Sequence, residues 1–256
     1  MTHTIAISNQ KGGIGKTTTA INLCAALADK GHRVLLIEAD PQGNAAAALG
    51  FTDFDITIKD IFERILMGEE ITPDMGILNH DEGFDLLPSN TELAGMEFVL
   101  YDYKEKGRTA LKQYINIIHD RYDYIIIDCP PSLGQLSVNA LIAANKVIVP
   151  VLPEPLPAEG LQQLLKTIVM TKRKCNPNLE IAGILFMNVD YRTKNTNSII
   201  QQIREAYQGK INVFKTEIPR RIAISEAQGV GKSILLYEKT NDAVEAFRKL
   251  AAEVEK

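Results

Sequence analysis

Lys11-Gly12-Gly13-Ile14-Gly15-Lys16-Thr17-Thr18 lies directly after the apolar stretch Thr4-Ile5-Ala6-Ile7-Ser8 and directly before an apolar-periodic pattern from Ala20 to Ala28. Its clustered glycines, Gly12, Gly13 and Gly15, permit positive φ and leave no side chain above the loop, so successive amide N–H groups can point at an anion. The helix that follows adds the positive end of its dipole. Lys16 can then reach the β- and γ-phosphates of a nucleotide, and the Thr17 hydroxyl can ligate magnesium. All eight residues, from Lys11 through Ile14 to Thr18, are expected to contact nucleotide. Strict P-loop spacing would put glycine at position 10, where Gln10 stands, and the loop carries instead a second lysine, Lys11, at its mouth. A similar string, Gly229-Val230-Gly231-Lys232-Ser233, has Glu226 where its first glycine should be and no apolar strand before it. It is expected to be a surface loop.

Carboxylates follow at matching places. Ile125-Ile126-Ile127-Asp128 ends a continuous apolar strand in an acid, the Walker-B arrangement that delivers a metal-binding carboxylate. Val34-Leu35-Leu36-Ile37-Glu38 runs into Ala39-Asp40-Pro41-Gln42-Gly43-Asn44. Asp40 is the candidate to orient or deprotonate a water against the γ-phosphate and to help hold magnesium, while Glu38, closer to the strand, suits a structural role. His3, His32, His80 and His119 are scattered, and nothing suggests nucleophilic catalysis. Hydrolysis would rest on positioning and charge neutralisation by Lys11, Lys16 and Asp40, with a slow basal rate.

Those residues need a frame that brings distant loops together. Strands are expected at Thr4 to Ser8, Arg33 to Glu38, Phe84 to Leu87, Tyr124 to Asp128, Lys146 to Val151, Ile181 to Asn188 and Ile211 to Phe214. Helices are expected at Lys16 to Lys30, Ile58 to Met67, Thr91 to Tyr101, Thr109 to Arg121, Gln135 to Ala144, Gly160 to Cys175, Thr196 to Tyr207 and Asn241 to Glu253. The alternation predicts an α/β fold, a mainly parallel, doubly wound sheet with helices on both faces. Ligands bind such sheets beyond the carboxyl ends of the strands, so the loops after Ser8, Glu38, Asp128, Val151 and Asn188 should share one crevice. By the same logic Asn188 and the Pro219 segment are candidates for the purine.

At 256 residues and 45% hydrophobic, with no linker-like composition shift, the chain is expected to be one domain over 1–256. No run of about eighteen apolar residues and no charged-then-apolar leader is visible, so the protein is expected in the cytoplasm. Cys24, Cys129 and Cys175 are expected to be reduced and mostly buried. Net charge is −4, against a globally basic nucleic-acid binder, yet Asp190 to Lys232 holds eight Lys/Arg against four Asp/Glu. A basic face on an acidic protein suits a polyanion.

The two-lysine loop, Asp40-Pro41-Gln42-Gly43-Asn44 and Asp128-Cys129-Pro130-Pro131-Ser132 together resemble the ParA/Soj family of partition ATPases. Asp190-Tyr191-Arg192-Thr193, Ile218-Pro219-Arg220 and the Ser225-Glu226-Ala227 region followed by Gly231-Lys232 extend the match over essentially the whole chain. The resemblance implies a deviant P-loop fold, ATP and Mg2+ as ligands, and a homodimer with ATP sandwiched between subunits. Lys11 would reach the partner's phosphates. It also implies nonspecific double-stranded DNA binding on the nucleoid and stimulation by a ParB-like centromere-binding protein. Arg192 and Arg220 match DNA-contact positions, and Lys194, Lys215 and Arg221 can add to them, since phosphate-only recognition needs cations but no base-reading element. Thr17, Asp128 and Asp40 would handle the metal.

Two substitutions depart from the family: Glu38 where relatives usually have Asp, and Ala223 where many have a further arginine, which would weaken DNA binding. The short stretch before the first strand leads us to expect no N-terminal helix-turn-helix and no promoter autoregulation. A MinD-like or protein-cargo positioner is the main alternative, but the C-terminal helix mixes Glu245, Glu253 and Glu255 with Arg248 and Lys249, which anionic lipid would not favour. Packing on the body is expected instead. The positions of Cys24 and Cys129 do not suit an iron–sulfur reductase of this fold, no residues mark a ligase's substrate pocket, and only Tyr237 lies near the end, unlike the tyrosine-rich tail of a tyrosine kinase.

Overall fold

Apolar runs without polar interruption, such as Val34–Glu38 and Tyr124–Asp128, can only be strands covered on both faces, and every residue of these two is buried. The computed structural model describes residues 2–154 and 158–256, apart from the side chains of residues 158–160 and 194. Its elements are β1 (His3–Ile7), α1 (Lys16–Asp29), β2 (Val34–Glu38), α2 (Asn44–Ala48), α3 (Ile58–Met67), β3 (Leu78–Asn79), β4 (Asp85–Leu87), α4 (Met96–Asp102), α5 (Lys104–Arg108), α6 (Ala110–Ile118), β5 (Tyr124–Asp128), α7 (Gln135–Ala143), β6 (Lys146–Val151), α8 (Ala158–Lys174), β7 (Glu180–Val189), α9 (Lys194–Tyr207), β8 (Val213–Pro219), α10 (Ile222–Gly229), α11 (Ile234–Tyr237) and α12 (Asp242–Val254). They build an eight-stranded sheet in the order β3-β4-β2-β5-β1-β6-β7-β8. All pairings are parallel except the short antiparallel β3 at one edge.

Register aligns the site. Ile7 pairs with Asp128 and Glu38 pairs with Asp128 on the other side, so β1, β2 and β5 end at one level. One face of the sheet packs Phe62, Tyr114 and Leu136 from α3, α6 and α7, and the other packs Leu23, Leu27, Phe247 and Leu250 from α1 and α12. At the carboxyl edge between these layers, strand-end loops converge on the start of α1.

The apolar stripe of α12, Val244, Phe247, Leu250, Ala251 and Val254, is buried against this body as expected. Its polar face is tied down too. Arg248 pairs with Asp29 at 3.0 Å. Glu253 accepts from the Lys215 and Thr216 amides at 3.0 and 2.8 Å, which occupies part of the exposed edge of β8.

Several sequence expectations need correction. The last strand is not Ile211 to Phe214 but Val213–Pro219, extended because Ile218 and Pro219 continue burial beyond Phe214. Thr91 to Tyr101 divides into a 3-10 turn, Thr91–Gly95, and α4, and Thr109 to Arg121 ends in a further 3-10 turn, His119–Arg121. The Gly229 to Ser233 segment is an exposed turn between α10 and α11, as expected, and is anchored at its end. Gly229 closes α10, and Ser233 is fully buried, its hydroxyl donating to Glu82 and accepting the Leu235 and Leu236 amides of α11. Cys24 and Cys129 are buried, but Cys175 is exposed at the end of α8.

Phe247→Ala should cost about 3–5 kcal/mol in urea unfolding, the range for emptying a large aromatic site. An unchanged unfolding midpoint would show that α12 is not part of the folded body.

Candidate nucleotide site and its basic rim

Gly15 takes φ +90°, a left-handed conformation that calls for glycine, and a Cβ there would push aside the terminal methyl of Met187. It is the N-cap of α1 and offers no side-chain cap; no acid occupies the first turn. The leading amides of α1 are thus left for an external acceptor, the arrangement in which a helix start binds an anion. Lys16 is 7% exposed, and its Nζ lies 3.4 Å from the Lys11 carbonyl oxygen, curled over the loop. Gly12, Gly13, Gly15, Lys16, Thr17 and Thr18 line a crevice of about 750 Å³, large enough for a nucleotide. Ile14, by contrast, is buried and anchors the loop.

Three buried acids meet at the strand ends, and they differ in partners. Glu38 accepts from the amides of Ser89 at 3.0 Å, Ala45 at 2.5 Å and Ala46 at 3.4 Å. It fixes the start of α2, so the longer side chain at this position serves the backbone. Burial raises its pKa to about 7 against the downward pull of those amides. Asp40 lines the crevice, accepts from the Gln42 amide at 3.1 Å, and is held by Ser89 Oγ on its carbonyl. Asp128 is 1% exposed, and neither carboxylate oxygen has a hydrogen-bond partner by geometry. Desolvation raises its pKa to about 7, opposed by Thr17 and Lys16 and reinforced by the negative charges of Glu38 and Asp40. An orphaned buried carboxylate beside a threonine hydroxyl and a phosphate loop fits a hydrated magnesium ion. Among the described residues no group of three or more His, Cys, Asp or Glu could hold a metal alone.

The cations form a rim. Lys11 Nζ pairs with Glu154 at 2.7 Å, both side chains about half exposed, a contact weak enough to exchange. Arg220 and Arg221 line the crevice together with Asn188, which takes a left-handed φ of 55°. Pro219 is buried at the end of β8 and does not line it. Arg192 sits in the turn after β7, with its side chain 87% exposed. Lys215 is exposed in β8, four residues before Pro219 and so on the order of 13 Å down the strand from the crevice edge. Lys194 opens α9, and its side chain lies outside the described residues. Sequence reading passed over Met187, Gln42, Asn44, Ser225 and Gln228, which also line the crevice. Asn44 was within reach, in the segment that carries Asp40. Gln228 gave no signal, because it comes near only through α10, where its Nε2 donates to Thr18 Oγ1 at 3.3 Å.

A parallel sheet with an uncapped glycine loop, a buried lysine and a strand-end aspartate defines a P-loop nucleotide-binding protein. A family described as an AAA domain matches residues 2–181. The chain is 41% identical to the sporulation initiation inhibitor protein Soj of Bacillus subtilis, over 98% of this chain and 97% of that one. It is 41% identical to the chromosome partitioning protein ParA of Caulobacter vibrioides, over 98% and 92%. The crystal structure of cobyrinic acid a,c-diamide synthase from Mycobacterium smegmatis with bound ATP analogue and magnesium is similar at TM-score 0.84 and 33% identity, covering 98% of this chain and 93% of that one. The chain belongs to the ParA/Soj family of chromosome-partitioning ATPases.

The burial of Asp128 has a measurable sign. Between an unfolded value near 3.9 and the folded value of about 7, the unfolded chain releases its proton while the folded one keeps it, so this group's contribution falls as pH rises through that window. Asp128→Asn removes that loss. The ligand-free variant should be more stable than wild type at pH 8, by on the order of a few kcal/mol, with little difference at pH 4. Thermal melts across pH check this, and an Asp128→Asn protein less stable at pH 8 would contradict it.

Proposed function

We propose that the chain hydrolyses ATP to ADP and phosphate slowly, dimerises on ATP, binds double-stranded DNA without sequence preference, and so segregates or positions a chromosome, plasmid or mobile element. A ParB-like partner would stimulate hydrolysis, and the setting would be the cytoplasm, on the nucleoid. The observation that carries this reading is the shared crevice: Arg220 and Arg221 line the same cavity as Lys16 and Thr17, so triphosphate and polyanion meet one wall of the protein. The relatives' names and the magnesium–nucleotide complex of the structural neighbour support it.

In this reading residues 1–256 act as one unit. The α1 amides, the loop from Lys11 to Thr18 and Lys16 hold the phosphates, and Asn188 with the Pro219 segment borders the purine. Thr17, Asp128 and Asp40 hold magnesium, which when bound neutralises charge on the phosphates. Asp40 orients the attacking water, its carboxylate steadied by the Gln42 amide. Lys11 leaves Glu154 and neutralises the triphosphate of a second copy, which makes nucleotide and dimer mutually dependent. Arg192, Arg220 and Arg221, with Lys194 and Lys215, meet DNA phosphates. Among the described residues no helix is long and apolar enough to cross a membrane, and the packed stripe of α12 gives no exposed lipid-binding face there.

DNA retention measured with ATP, ADP and no nucleotide tests the reading. ATP should favour retention, Arg192→Ala should weaken it severalfold, and Asp40→Ala should keep the protein on DNA by blocking hydrolysis. Retention indifferent to nucleotide would remove the switch, and undiminished binding by Arg192→Ala would remove that contact.

A further inference from the structure

Arg221 is not idle in the resting chain. Its Nε donates to Asp242 Oδ1 at 2.7 Å and its Nη2 to Asp242 Oδ2, a two-point grip. A guanidinium holds a phosphate by the same fork, so the carboxylate occupies the position a DNA phosphate would take. Arg192 is held alike by Asp190, with Nε to Oδ1 at 2.8 Å and Nη2 to Oδ2 at 2.6 Å. Arg220 makes no ion pair among the described residues.

The two carboxylates differ in what else they do. Asp190 also accepts the Arg192 amide at 3.1 Å and so shapes its own turn. Asp242 comes from the first position of α12, 21 residues away in sequence. The cap of that helix is supplied by Asn241, which accepts from the Ala243 amide at 3.0 Å. Among the described side chains, Arg221 is the one that Asp242 pairs with.

We infer that Asp242 is an internal stand-in for a DNA phosphate, competing for Arg221 and thereby holding down DNA affinity in the resting chain. The inference rests on the DNA-binding reading above. Both side chains are partly exposed, 41% for Arg221 and 55% for Asp242. Exposed pairs of this kind are weak, so a polyanion can displace the carboxylate. The position of the pair also gives a route for nucleotide to bias the exchange. Arg221 is the N-cap of α10, and Gln228 near the other end of that helix is bonded to Thr18, on the turn that faces the phosphates. A displacement of Thr18 on nucleotide binding acts on the helix that carries Arg221.

The test is DNA affinity of Asp242→Asn in the nucleotide-free and ADP states, beside wild type, Arg221→Ala, the double variant, and Glu226→Gln. The last removes one negative charge from the exposed side of α10, at a carboxylate that makes no ion pair among the described residues. Asp242→Asn should bind about 2- to 5-fold tighter than wild type, matching the worth of an exposed pair, and tighter than Glu226→Gln. In the Arg221→Ala background the gain should shrink to that of Glu226→Gln. A gain no larger than the control's, or one that persists without Arg221, overturns the inference while the wild type still binds DNA. Failure of wild type to bind DNA in any nucleotide state overturns the underlying reading as well. If Asp242→Asn melts markedly lower than wild type, Asp242→Ser carries the same comparison.

Discussion

Asp128 sits at the end of β5 with both carboxylate oxygens buried and without a protein hydrogen bond, in the same small volume as Lys16 and two further acids. Leaving an ionisable group in that state destabilises the ligand-free fold. The uncapped amides of α1 are the complementary defect, donors with no side-chain cap at the same edge. A magnesium–phosphate group would supply what each lacks, a cation for the acid and acceptors for the amides. The shared register of β1, β2 and β5 holds those two unmet needs side by side at one edge of the sheet.

Around that centre the rim follows a second rule. Lys11, Arg192 and Arg221 each rest on a carboxylate, exposed in Glu154 and Asp242 and more covered in Asp190. Such pairs are too weak to contribute much stability, but they keep cations ordered and partly neutral until a stronger anion arrives. On the proposed function, the stronger anions are the triphosphate of a second copy for Lys11 and DNA phosphates for the arginines. Charges buried at the centre and charges loosely paired at the rim thus divide the work between holding a nucleotide and answering to it.

Much of this was legible in the residues. The phosphate loop, the strand-end acids and the βα alternation have local causes: glycine where φ is positive, an unbroken apolar run where both faces are covered, and helical periodicity where one face is. Elements that depend on distant neighbours were not legible. The extension of β8 to Pro219 follows from pairing with β7, and the antiparallel pair at Leu78–Asn79 depends on β4. The α10–α11 corner is stabilised by Glu82 and Asn22, which bond Ser233 and the Ile234 amide from far along the chain. At the site, the role of Glu38 shows the same limit. Nothing in Val34-Leu35-Leu36-Ile37-Glu38 announces that its carboxylate accepts amides from α2 and from Ser89. The carboxylate partner of Arg221, Asp242, depends on where α12 begins relative to β8, which periodicity alone does not specify.

The central claim is that the crevice is completed only when two copies close on a triphosphate, with Lys11 exchanging Glu154 for the partner's phosphates. Light-scattering mass, measured with ATP, with ADP and without nucleotide on wild type and Lys11→Ala, tests it most directly. The account predicts a doubled mass for wild type with ATP alone and a monomer mass for Lys11→Ala in every condition. A mass independent of nucleotide, or an ATP dimer of the Lys11→Ala protein as stable as that of wild type, would contradict it.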